Sequence, residues 1–110
     1  MLLSERVRIE VFIPDLPDPS YAKLLTQFQS EFSYTFGGCT VISASGTFLS
    51  GGGMILPDKI SILFADVPLE LNRDRLLIGQ YTDRVKTAVR DSLKQEEAIM
   101  ISVYSVYHDE

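Results

Sequence analysis

The chain has 110 residues, a formal net charge of -5, 45% hydrophobic and 23% charged residues. Two cores of half this size would each be marginal, so residues 1–110 read as one globular domain. The acidic balance excludes an electrostatic nucleic-acid binder, which needs surplus Lys and Arg. The single cysteine, Cys39, excludes an internal disulfide and a cysteine-based zinc cage.

The first segment, 6–13, alternates strictly, with Val7, Ile9, Val11 and Ile13 opposite Arg8, Glu10 and Phe12. It reads as a half-buried strand, ended by Pro14, Pro17 and Pro19. A helix should start near Pro19 with Asp18 or Ser20 as its cap. Over 20–34, Tyr21, Leu24, Leu25, Phe28 and Phe32 recur at three and four and predict one apolar stripe. Gly37 and Gly38 can supply the positive φ that closes such a helix.

A second strand is expected over 39–49, with neither face clearly polar and Gly46 as a candidate bulge. Gly51, Gly52 and Gly53 read as a flexible exposed connection running on to Pro57. The third strand, 59–67, sets Ile60, Ile62 and Phe64 against Ser61, Leu63 and Ala65, and such an apolar strand belongs near the sheet centre. A longer helix is expected over 72–96, capped by Asn72 and weakened at Gly79 by about 1 kcal/mol relative to alanine. The last strand, 98–107, alternates Ile99, Ile101 and Val103 against Met100, Ser102 and Tyr104, and the tail from His108 should fray.

The order β-α-β-β-α-β is the split βαβ arrangement of a ferredoxin-like α+β fold, a four-stranded antiparallel sheet with two helices on one face. The other face is left open, and the alternation assigns Arg8, Glu10, Phe12, Ser61, Leu63, Ala65, Met100, Ser102 and Tyr104 to it. So apolar a face marks an interaction surface. Phe12, Leu63, Ala65, Met100 and Tyr104 are therefore the expected interface of a homo-oligomer, a dimer or trimer.

In element order, length and the stretch GGCTVISASGTFLSGGGMILPDKISILFADV, the chain resembles the superfamily of the PII signal-transduction proteins and the CutA proteins. That resemblance implies a small oligomer with a long exposed connection between its second and third strands. The segment LKQEEAIMISV has no counterpart of the loop with which PII proteins hold nucleotide phosphate, and TFLSGGGMIL replaces the aromatic hairpin of CutA proteins. No functional residue is carried over from either.

Among single residues, Gly51, Gly52 and Gly53 precede a strand rather than a helix, unlike a phosphate-binding loop, and read as a flexible linker, with a loop contact to a ligand or partner as the functional expectation. Cys39 opens an apolar strand and reads as an inert buried thiol. His108, the lone histidine, reads as solvated, and no metal site or cofactor is expected within one chain. Lys86, Arg90 and Lys94 form a basic stripe, read as a solvated face laced by weak pairs with Asp83 and Asp91. Asp58, Asp66 and Glu70 read as solubilising acids.

Two functions follow. The first is a homo-oligomeric interaction or regulatory, ligand-sensing module that meets a small molecule or protein. The second is a small enzyme holding an apolar substrate on the open face near Arg8, Glu10, Ser61 and Tyr104, with Glu10 as base. The sequence MLLSERVRIEV lacks the features of a secretory leader, and no apolar run nears the roughly 20 residues of a membrane span. A cytoplasmic protein is expected, without nucleic acid or membrane as partner.

Overall fold

In a computed structural model, which describes residues 2–93 and 99–109, the elements run β1 (Leu3–Pro14), α1 (Pro19–Phe36), β2 (Thr40–Leu49), β3 (Ile55–Val67), α2 (Arg75–Leu93) and β4 (Ile101–Asp109). The strands form one antiparallel sheet in the order β2-β3-β1-β4. This is the ferredoxin-like α+β architecture, with β3 and β1 at the centre.

Val7, Ile9, Val11 and Ile13 of β1 are buried with Leu63, Ala65 and Val67 of β3. Their cover is Tyr21, Leu24, Phe28 and Phe32 of α1 and Ile78, Tyr81, Val85, Val89 and Leu93 of α2, all in one core. Both helices therefore lie on the same sheet face. The rings of Phe32 and Phe36 meet Tyr81 at 6.0 and 5.0 Å between centroids, which ties α1 to α2.

The ends of α1 follow local chemistry. Asp18 accepts from the Ser20 N–H at 2.9 Å and Pro19 occupies the first turn, where a missing N–H costs nothing. Gly37, at φ 89°, donates to the Ser33 carbonyl and turns the chain out of the helix. At α2 it is Asp74 that stands at the start, its carbonyl accepting from Ile78 N at 3.0 Å and its carboxylate from Glu70 N at 2.9 Å. Asn72 lies in the preceding turn, and the helix passes through Gly79 unbroken. Residues 94–98, including Lys94 of the basic stripe and the expected ends of the second helix and fourth strand, lie outside the described residues.

The register corrects the third strand. Ile13 pairs with Ser61, Val11 with Leu63 and Ile9 with Ala65, so Ser61, Leu63 and Ala65 face the helices, with Leu63 fully buried. The open face of β3 carries Ile60, Ile62, Phe64 and Asp66 instead. Both faces of this strand are apolar over 60–65, and its pairing with β1, whose inner face is unambiguous, decides between them.

β3 is also longer than expected. It starts at Ile55 and, with 45–49 of β2, forms a two-stranded ribbon beyond the last β1 pair, Pro14 with Ile60. The pairing of β2 and β3 runs without interruption through Gly46, so there is no bulge there. At the ribbon tip, Gly53 N donates to Ser50 O at 3.0 Å, Ser50 N to Met54 O at 2.8 Å and Met54 N to Ser50 Oγ at 3.1 Å. The glycines thus form a closed turn, with Gly53 at φ 81°, rather than a loose connection. The tail does not fray at His108, which pairs with Ser4.

Candidate functional site

The uncovered sheet face has two parts. The larger is apolar: Phe12, Ile60, Ile62 and Phe64 are half-buried, and Ile42, Phe48 and Met100 are about half exposed at 48%, 49% and 55%. Alternation puts them together, because Ile42 pairs with Ile62, which pairs with Phe12, whose N–H meets Met100 O.

The smaller part is a polar cluster at the β4 end of that face. Arg8 sits between Asp66 on β3 and Tyr104 on β4, its register partners on either side. Its Nε and one terminal nitrogen donate to the two Asp66 oxygens at 2.6 and 2.9 Å, and its guanidinium lies 4.3 Å from the centre of the Phe64 ring. His108 Nε2 lies 3.0 Å from Asp66 Oδ2, and the Tyr104 hydroxyl donates to Glu10 at 2.9 Å. The cluster ties β3, β1 and β4 together across the open face.

Its electrostatics follow. The Arg8 guanidinium, and to a lesser degree His108, holds the Asp66 carboxyl below the usual carboxylate range against the effect of burial. Asp66 in turn raises Arg8, which stays charged. Burial and then the bond to Glu10 raise the Tyr104 phenol. Both Asp66 oxygens and one oxygen of Glu10 are engaged within the protein, so the cluster holds β3, β1 and β4 in register with one another.

Of the residues singled out from the sequence, Arg8, Glu10 and Tyr104 come together, and Phe12 and Met100 share their face. Ser61, on the helix side, does not join them, and Leu63 and Ala65 are core residues. Gly51, Gly52 and Gly53 stand at the far end of β3 from Asp66, roughly 40 Å away at the rise of an extended strand. Asp66, His108 and Phe64 were not picked out as site residues. Asp66 carried a readable signal, since it shares the parity of Ile60, Ile62 and Phe64 and so marks that face as the outer one. For His108 the sequence held no signal beyond its proximity to the strand.

Elsewhere, Cys39 lies just before β2, half-buried, its sulfur 3.8 Å from Gln29 O. An open depression on the helix layer is lined by Asp83, Arg84, Thr87, Ala88 and Asp91. Arg84 lies over the Tyr81 ring at 5.4 Å. Among the described residues no group of three or more His, Cys, Asp or Glu side chains could hold a metal ion, and no helix is long and apolar enough to cross a membrane.

Comparison of the chain with protein-family models, with curated proteins and with solved structures found no match.

Proposed function

We propose that the protein is a homo-oligomeric interaction module, in which the open sheet face of one copy is covered by another and the assembly serves a regulatory, ligand-sensing role. The observation that carries this reading is the apolar field of Phe12, Ile42, Ile60, Ile62, Phe64 and Met100, contiguous across β2, β3 and β1 to the residue that precedes β4. A contiguous apolar field on an uncovered sheet face marks an interaction site.

Surface area points the same way. The chain exposes 7477 Å², against about 6,100 Å² for a compact monomer of its mass. The excess is larger than the roughly 800 Å² that each partner commits to a standard interface. Arg8, Asp66, Glu10 and Tyr104 border the field and would set the register of the two copies. Gly51, Gly52 and Gly53, exposed at the ribbon tip, are the part left for a ligand or a further protein.

The protein lacks tryptophan, so Phe12→Trp places one reporter on the open face. Its emission should be that of a buried indole at high protein concentration and shift to the red on dilution. Emission of a solvated indole at every concentration would contradict the reading.

A further inference from the structure

We infer that the β2 edge is a strand-pairing site for the β2 edge of a second copy, antiparallel and centred on Ser45, so that two sheets join into one of eight strands. This rests on the homo-oligomeric reading above and specifies one of its contacts.

The backbone directions come from two hydrogen bonds. Phe12 N donates to Met100 O at 3.0 Å, and Asp15 N to Lys59 O at 2.8 Å. Even-numbered residues of β1 therefore address β4, and odd-numbered residues of β3 address β1. Even-numbered residues of β3 then address β2, and their partners there are Thr40, Ile42, Ala44, Gly46 and Phe48. The intervening Val41, Ser43, Ser45, Thr47 and Leu49 turn their N–H and C=O groups outward from the sheet.

Native sheets blunt such an edge with prolines, charges or bulges. This one has none of them: residues 32–57 contain no charged side chain, β2 contains no proline, and its register is unbroken. Among the described residues, the β3 side of the ribbon and the last residue of β4 each carry one such device. Pro57 has an odd number, so its N–H-less nitrogen faces the side of the ribbon that β1 has left, and β4 carries Asp109 among its outward residues.

The ribbon supplies the second reason. Two strands alone are marginal in water, yet residues 45–49 and 55–59 pair through to the tip with Leu49 71%, Met54 64% and Ile55 74% exposed. Pairing about Ser45 sets Ser45 against Ser45, Ser43 against Thr47 and Val41 against Leu49, and makes each ribbon part of a four-stranded one. The edge is uncharged, so a two-fold contact brings no like charges together, and the same patch serves both copies. Side chains opposite one another share a face, so the two open faces become continuous.

The test is Ser45→Pro. The Ser45 N–H turns outward from the sheet and has no partner among the described residues, so the variant should keep native circular dichroism and melting while its mass in sedimentation equilibrium falls twofold. Ser45→Lys and Ser45→Asp should each lower the mass in the same way, and mixing them should restore it. A folded Ser45→Pro protein of native mass would overturn the inference, and so would a mixture of the Lys and Asp variants no heavier than either alone. The charged pair decides the matter should the proline variant fail to fold. If Ile62→Arg lowers the mass while no Ser45 variant does, this inference alone falls. A native protein of single-chain mass overturns both.

Discussion

Arg8 and Asp66 face each other across the β1–β3 pair, the Arg8 Nε donating to Asp66 Oδ1 at 2.6 Å while the Phe64 ring lies against the guanidinium. Because the folded Asp66 carboxyl titrates below its ordinary value of 3.8, its contribution to stability is fully present above that value. It is lost as pH falls through the folded pKa. Asp66→Asn should lower stability at neutral pH by about 1 kcal/mol, the scale of a partly exposed pair with charged hydrogen bonds. It should also flatten the acid limb of the stability curve, read from urea midpoints at neutral pH and near pH 3. An acid limb unchanged by the substitution would remove Asp66 from its cause.

The two neighbours Ile62 and Leu63 separate the faces of the sheet. Leu63 is fully buried against the helices, so Leu63→Ala should cost about 3 kcal/mol and Leu63→Arg should abolish the fold. Ile62 lies on the open face, half-buried, and Ile62→Arg should leave circular dichroism native. Equal loss of structure in the two arginine variants would contradict the register.

How much of this the sequence disclosed depends on the strand. For β1 the alternation of Val7, Ile9, Val11 and Ile13 with Arg8 and Glu10 defined both faces, and α1 followed from its stripe, Asp18 and Gly37. For β3 both parities are apolar between Ile60 and Ala65, so hydrophobicity could not choose. Asp66, on the parity of Ile60, Ile62 and Phe64, held the answer. The Arg8–Asp66–His108 contacts join residues 58 and 42 positions apart, and only the sheet order brings them together. The ribbon went unread because Leu49, Met54, Ile55 and Leu56 flank glycines that also suit a loose loop.

Two glycines should respond in opposite ways. Gly37 sits at φ 89°, where a side chain is strained, and Gly37→Ala should cost about 1 kcal/mol. Gly46 lies in an unbroken ladder with nothing within 4 Å of an added Cβ. Gly46→Ala should gain roughly 0.5 kcal/mol by restricting the unfolded chain. Thermal melts of both variants check the pair, and a destabilising Gly46→Ala would contradict the regular pairing there.

Tyr81 has a buried hydroxyl without a hydrogen-bonding partner among the described residues, and burial raises its phenol above 10. Tyr81→Phe keeps the ring contacts and removes the unpaired group, so it should be neutral or stabilising by up to about 1 kcal/mol. A raised folded pKa gives stability that is present below the unfolded value and lost as pH rises through the folded one. The phenylalanine variant should therefore hold its urea midpoint better above pH 10 than the native protein. A midpoint that falls equally in both would exclude Tyr81 as the source.

The most direct measurement is the solution mass of the untagged native protein by light scattering over a wide concentration range, repeated for Ile62→Arg. A native mass of two or more times 12.3 kDa, falling at least twofold in a folded Ile62→Arg protein, is the predicted result. A native mass of 12.3 kDa at every concentration would show that the open face stays uncovered, and would contradict the proposed assembly.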